Sequence, residues 1–225
     1  MPFVSVNMAI TADGKIATAN RAVHSFGSAR DLEHLYELRA TADAVMCGAR
    51  TVEISGTILG TGGAKFRRQR RQNGLAEYNL RIIVSGSGSM DPKADIFKRR
   101  FSPIIVLTTK RTPSTKLAQL RSVADEVKVF GGSEVNLRPA LRWLRAKWSV
   151  KRLLCEGGGE LNDALFRADL VDEINLTICP KIFGGRVAPT IADGLGFQRL
   201  TDAAKFELTS FRRKKAELFT VFSRR

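Results

Sequence analysis

Histidine is almost missing from this chain: His24 and His34 are the only two in 225 residues. Cysteine is scarce as well. Cys47, Cys155 and Cys179 lie far apart, are odd in number, and each sits in an apolar stretch. There is no CxxC and no Cys/His spacing suited to a metal, so neither a disulfide framework nor a metal motif is encoded. No Ser/His/Asp or Cys/His set offers an activated nucleophile. Three isolated thiols read as buried free cysteines in a reducing compartment, so the expected location is the cytoplasm. No apolar run approaches the ~18 residues of a membrane span. Met1-Pro2-Phe3-Val4 opens no signal peptide, lacking the basic segment, apolar segment and cleavage site. Acidic residues are few, 22 against 37 Lys and Arg, for a net charge of +15. Such a chain attracts anions: nucleic acid, nucleotide phosphates, or neither if the charge is a compositional habit of its source. The two densest basic clusters, residues 67–71 and 212–215, carry no interleaved aromatics for base stacking. That argues against nucleic acid and reads the clusters as solvated loops.

What is present is a globular composition, 44% hydrophobic, long enough to bury one good core. No internal repeat and no linker divides it, so one domain over 1–225 is expected. Residues 153–197 organise the rest. Leu153, Leu154 and Cys155 form a short apolar run, expected as a buried strand. Gly157, Gly158 and Gly159 follow, and Leu161, Ala164, Leu165 and Ala168 then recur at helical spacing. Strand, glycine turn and helix start offer bare N–H groups and a partial positive charge, which suits a phosphate. A tight turn without a ligand is the plainer alternative. The spacing is not GxGxxG followed by an acidic residue.

Apolar runs at 3–10, 44–47, 80–84, 104–107 and 127–130 are expected as further strands. Helical patterns start at Ser28 with a capping-box-like Ser-Ala-Arg-Asp, at Leu117 and at Leu137. Strands alternating with helices indicate a mostly parallel sheet with flanking helices, an α/β fold. Glycine turns recur after strands at Gly48, Gly86, Gly131 and Gly157. Ligands in open α/β sheets bind outside the carboxyl ends of strands, so one rim would collect all four. Residues 206–211 and 216–222 alternate with period two around Arg212-Arg213-Lys214-Lys215 and are expected as an antiparallel C-terminal hairpin. Residues 60–77, with four arginines, read as a long polar loop that either closes over a phosphorylated ligand or does nothing specific. His34 reads as a solvated helix flank.

Three spaced pieces carry a family resemblance: Glu156-Gly157-Gly158-Gly159, Leu170-Val171-Asp172-Glu173 and Pro180-Lys181-Ile182-Phe183-Gly184-Gly185. Together they resemble the reductase family of riboflavin biosynthesis (the C-terminal part of RibD and its stand-alone relatives), which shares the dihydrofolate-reductase-like fold. Thr11-Ala12-Asp13-Gly14-Lys15 is similar to the family's Thr/Ser-Leu-Asp-Gly-Lys, with Ala12 where Leu is usual. The resemblance implies NADPH as cofactor and a phosphorylated pyrimidine as substrate, the ribosylamino-pyrimidinone 5′-phosphate whose ribose is opened to ribityl. It puts Asp13 and Lys15 at the reacting centre, and Asn7, Arg39 and Glu156 on the substrate. For Arg39 the alternative is a helix-end cation; for Glu156 it is a strand-end carboxylate paired with a local cation. Gly48-Ala49-Arg50-Thr51-Val52 resembles the phosphate turn of these reductases, making Thr51 and Arg50 cofactor residues. Ser55, Val84, Ser85, Gly131, Gly157, Gly158, Gly159, Glu160 and Leu161 complete the NADPH set. His24 falls in a loop that passes the cofactor in the family. A homodimer is implied too.

Two departures stand out. Ser55 and Ser85 replace acidic residues usual in the family, and a hydroxyl at 85 favours a phosphate where a carboxylate would repel it. No His-x-Glu and Pro-Cys-x-x-Cys pair accompanies the reductase, so the zinc deaminase often fused to it is not expected. Two competitors remain: a relative that reduces another substrate, such as a pterin or imine, and a basic nucleic-acid-binding module without turnover. Salt-sensitive DNA binding that ignores NADPH would mark the latter.

Overall fold

The computed structural model describes residues 1–22 and 26–225. His24, weighed above as a neighbour of the cofactor, lies outside the described residues. The strands are β1 (Phe3–Thr11), β2 (Ala44–Gly48), β3 (Leu80–Val84), β4 (Ile104–Thr108), β5 (Glu126–Val129), β6 (Arg152–Cys155), β7 (Glu173–Cys179), β8 (Phe206–Lys214) and β9 (Glu217–Arg224). The helices are α1 (Ala29–Arg39), α2 (Ala49–Ser55), α3 (Ala64–Gln72), α4 (Asp95–Lys98), α5 (Ser114–Val123), α6 (Leu137–Trp148) and α7 (Gly159–Arg167). The nine strands form one sheet in the order β5-β4-β3-β2-β6-β1-β7-β9-β8. The expected mostly parallel sheet with an antiparallel C-terminal hairpin is therefore what the chain builds.

The chain falls into two compact units, Met1–Pro2 with Tyr36–Leu154, and Phe3–Leu35 with Cys155–Arg225. In the first, β2, β3, β4 and β5 pair in parallel. Their centres are the apolar runs: Ala44 to Cys47 and Ile104 to Leu107 are without exposure. Each fully buried aliphatic side chain there contributes roughly 1.5–3 kcal/mol. In the second unit β1 pairs parallel with β7, β7 antiparallel with β9, and β9 with β8.

One device recurs at the amino ends of the parallel strands. Asp43, Asp125 and Asp172 each stand one residue before a strand. Asp172 donates its N–H to Val4 O (2.9 Å) and accepts Val4 N–H on its carboxylate (2.7 Å). Asp125 does the same with Ile104, at 2.9 and 2.7 Å. Asp43 donates to Arg152 O and accepts the N–H groups of Lys151 and Arg152, both at 2.7 Å. Each carboxylate thus takes an amide at the start of the neighbouring strand and gives it a hydrogen-bond partner.

The 60–77 stretch is not a loop. Residues 64–72 form α3, with Phe66 and Arg70 buried on one side. The fully buried Arg70 donates to Arg39 O (2.5 Å), Ala42 O (2.6 Å) and Ala76 O (2.8 Å). It thereby satisfies carbonyls at the end of α1, a favourable site for a cation. Arg67 and Arg71 pair with Glu77. Most of this cluster is therefore built into the fold. The second cluster is not a loop either: β8 runs through Lys214, and the turn falls at Lys215, whose φ is 55°. The alternation of β8 predicts a half-buried strand, yet Leu208 and Phe211 are 53% and 66% exposed. The reason is position, because β8 is the edge of the sheet. No described helix is long and apolar enough to cross a membrane.

Asp172→Ala should lower unfolding stability by about 1–3 kcal/mol, the cost of a charge-assisted bond and an unpaired strand-end amide, with Asp172→Asn closer to the parent. Urea denaturation measures both. Equal losses would contradict this and show that an uncharged oxygen cannot stand in for the carboxylate, so that the clamp rests on the charge.

Candidate active site

In the second unit the turn after β1 is stitched to the segment after β7. Thr11 Oγ1 donates to Asp13 Oδ1 (2.5 Å) and accepts Lys15 N–H (2.9 Å). Gly14 takes φ 78°, the left-handed conformation glycine tolerates. The Asp13 carboxylate accepts the amides of Gly184 (2.7 Å) and Phe183 (3.2 Å). Lys15 Nζ donates to Ala188 O (3.1 Å), and its backbone bridges Thr190. The Thr11 hydroxyl, with the Gly184 and Phe183 amides, holds the Asp13 carboxyl below the usual carboxylate range. It is therefore an anion at neutral pH, suited to fixing a loop and unsuited to giving up a proton. Asp13 and Lys15 share one turn, and both spend hydrogen bonds on the 183–190 segment.

The glycine turn sits in the same unit. Gly157 has φ 79°, and a Cβ there would stand 2.8 Å from Met8 Sδ. A Cβ on Gly159 would stand 2.8 Å from Thr190 O. Both glycines are demanded by the protein's own packing. Gly158 is the N-cap of α7, and no side chain caps that helix. Glu160 is exposed in its first turn and Leu161 is buried. Asn162, missed in the sequence, fastens the helix: its Nδ2 donates to Ile191 O (2.9 Å), and its Oδ1 faces Cys155 Sγ at 3.4 Å. Asp193 accepts from Thr190 N and Oγ1. Burial pushes the Cys155 thiol up to about 12, so it stays protonated. Asn7 lies half-buried on β1 in register with Asn175 of β7. Glu156 is half-buried at the end of β6.

The first unit holds the other predicted residues. Gly48 is the N-cap of α2, again with no side-chain cap, and Arg50 and Thr51 lie in its first turn. Ser55 is at the far end of the same helix, donating to Thr51 O (2.7 Å). Val84 and Ser85 end β3, and Ser85 N–H donates to Leu107 O (2.9 Å). Gly131, φ 89°, leaves no room for a side chain, since a Cβ would stand 2.2 Å from Glu134 O. Arg39 is buried, donates to Gly60 O (2.5 Å), and lies 5.5 Å from the centre of the Tyr36 ring. A phosphate on Arg39 would have to displace those contacts.

The capping box at Ser28 is completed from a distance. Ser28 Oγ accepts the amides of Arg30 and Asp31 as expected. The carboxylate that receives Ser28's own N–H (2.7 Å) and hydroxyl (2.6 Å) belongs to Glu217. Asp31 is freed from that role, and burial, with the Glu217 charge, raises its carboxyl above the ordinary 3.8. His34 is not a solvated flank, because its ring packs edge-on against Phe219 at 5.2 Å.

Comparison with known proteins gives a family-model match over residues 2–219, to the RibD C-terminal domain. The chain belongs to the RibD C-terminal domain family. A relative from Archaeoglobus fulgidus is 34% identical over 92% of this chain and 93% of its own length. Another, from Methanothermobacter thermautotrophicus, is 33% identical over 92% and 91%. Both are named 2,5-diamino-6-ribosylamino-4(3H)-pyrimidinone 5′-phosphate reductase. Among solved structures, a pyrimidine reductase-like protein from Corynebacterium diphtheriae superposes with a TM-score of 0.82 at 21% identity, covering 100% of this chain and 92% of that one. The fold is thus the dihydrofolate-reductase-like one of the RibD reductases.

The raised Asp31 carboxyl sets a pH test. Its protonated form favours the fold; that contribution is complete below 3.8, the ordinary value, and is lost as pH rises through the raised one. Asp31→Asn should melt higher than the parent at neutral pH, with the gap closing as pH falls towards 3.8. A variant less stable at every pH would show that the carboxylate is needed where it stands.

Proposed function

We propose that this chain is an NADPH-dependent reductase of riboflavin biosynthesis that converts the ribosyl group of 2,5-diamino-6-ribosylamino-4(3H)-pyrimidinone 5′-phosphate to ribityl. The observation that carries the reading is the near end-to-end alignment with relatives named for that reaction, at 33–34% identity. The reaction balances simply: a hydride joins C1′, the C1′–O4′ bond opens, and O4′ leaves with a proton as a hydroxyl. When bound, the nicotinamide cofactor supplies the hydride.

The residues present fit a phosphate-bearing dinucleotide. The amino ends of α2 and α7 carry no side-chain cap. Arg50 and Thr51 on α2, the strand-end residues Val84 and Ser85, the Gly131 turn, and the 157–161 turn are the groups we assign to the cofactor. Ser55, tied to Thr51 O, closes α2 behind them. Asn7 and Glu156 are assigned to the substrate, with Arg39 shaping its surroundings through Gly60 and Tyr36. Asp13 and Lys15 act as positioning residues that hold the 183–190 segment against the β1 turn. A homodimer belongs to the same reading, with the exposed Leu208 and Phe211 of the edge strand β8 as its apolar contact.

The test is NADPH oxidation, followed by absorbance, with the diaminopyrimidinone ribosyl phosphate beside its deaminated counterpart. Turnover with the diamino compound, faster than with the other, is expected, from a particle whose light-scattering mass is that of two chains. Binding of NADPH without turnover of either compound would contradict the substrate assignment, and a one-chain mass would remove the dimer.

A further inference from the structure

Glu217 opens β9, and at 6% exposure it is buried. A carboxylate out of water is costly unless hydrogen bonds replace its hydration. Here both oxygens go to Ser28: Oε1 accepts its amide at 2.7 Å and Oε2 its hydroxyl at 2.6 Å. Capping α1 does not call for this. Ser28 Oγ accepts the Arg30 and Asp31 amides, as a serine at a helix start does on its own. What Glu217 adds is a fixed place for the start of α1 against the sheet. Cys179 Sγ, at the end of β7, donates to the same Oε1 at 3.7 Å.

A second anchor holds the same short segment two residues earlier. Lys181 Nζ donates to Phe26 O at 2.9 Å. Between the anchors, Gly27 runs so close to α1 that a Cβ would stand 2.2 Å from Asp31 Oδ2. The Phe26 ring meets Phe183 edge-on, with ring centres 5.1 Å apart. Phe183 and Gly184 give their amides to the Asp13 carboxylate, and Lys181 O accepts the Ala12 amide at 2.9 Å. Glu217, residues 26–28, residues 181–184 and the Asp13 turn are thus one connected set of contacts within the second unit. The sheet brings them together: β7 lies between β1 and β9, with Thr11 opposite Cys179 and Leu218 opposite Ile178.

A carboxylate that served only the fold would leave the chemistry of the folded enzyme untouched. These contacts lead instead to the Asp13 turn, and a small misplacement near a reacting centre is expensive in rate. We infer that Glu217 is a positioning residue: through Ser28, Phe26 and Phe183 it holds the Asp13 turn in place for the reaction. The effect on the reaction rests on the reductase reading, whereas the hold on the turn rests on the contacts alone.

The experiment compares the full chain with Glu217→Ala, Glu217→Gln, Ser28→Ala and the Ser28→Ala/Glu217→Ala double variant. Amide hydrogen exchange of the peptide containing Phe183 and Gly184 reads the turn without any ligand. Turnover of NADPH with the diaminopyrimidinone ribosyl phosphate reads the reaction. Exchange at Phe183 and Gly184 should be faster in Glu217→Ala and Ser28→Ala and close to wild type in Glu217→Gln, whose amide can still bond Ser28. In Glu217→Ala, kcat should fall about tenfold while KM for NADPH changes less than about twofold. Glu217→Gln should restore most of kcat, and the double variant should lose no more than the worse single one. A Glu217→Ala protein that melts lower yet keeps wild-type exchange and kcat would overturn the inference, as would losses that multiply in the double variant. Should Glu217→Ala fail to fold, Ser28→Ala and Lys181→Met break the two anchors separately, and unchanged exchange in both would overturn it equally. Wild type without turnover would remove the reductase reading and the effect on rate, while faster exchange in the variants would keep the hold on the turn.

Discussion

The parallel registers of this sheet are set at the amino ends of its strands, by three aspartates. Asp43, Asp125 and Asp172 each use one backbone bond and one carboxylate to seize the start of the adjacent strand. A parallel strand gets no help from a tight hairpin in finding its register. A slip of one residue would take Ile104 and Val106 out of the core cluster they share and put Ile105 and Leu107 in their place. With the amino ends clamped by short charged bonds, the carboxyl ends are free to carry the glycine turns.

Those turns are held in two ways. Glycine removes the side chain where backbone or sulfur comes too near, as at Gly131 and Gly157. Side-chain hydrogen bonds then fix the bare chain, as Asp13 does for Phe183 and Gly184. The large positive charge divides along the same line. Arg70 and Arg81 are fully buried, and burial lowers their guanidinium values to about 10, still charged at neutral pH. Each donates to backbone carbonyls, so these cations are structural. Arg111 and Lys110, by contrast, lie exposed. Net charge alone does not separate the two groups; burial and partners do.

Much of this was legible in the residues. The strands follow from apolar runs bounded by turns, and the glycine turns from their place after those runs. The family was legible because Glu156-Gly-Gly-Gly, Val171-Asp172-Glu173 and Lys181-Ile-Phe-Gly-Gly sit at fixed separations. What escaped depends on distance or on side chains used against type. Helix α3 shows little apolar periodicity because a buried arginine occupies a position where an aliphatic residue is expected. Glu217 completes the cap of α1 from 189 residues away, and no local pattern announces it. The alternation in β8 marks a strand correctly but says nothing of whether a neighbour covers its faces. Asp172 was visible as part of a motif, and only its bonds to Val4 show what it does.

In the proposed reaction a hydride reaches C1′ of the ribosyl group. The most direct test supplies NADPH carrying deuterium at both nicotinamide C4 positions and reads the product by mass spectrometry and NMR. One deuterium on C1′ of a ribityl chain is the predicted result. A product with no deuterium, or with deuterium on the pyrimidine ring, would contradict it.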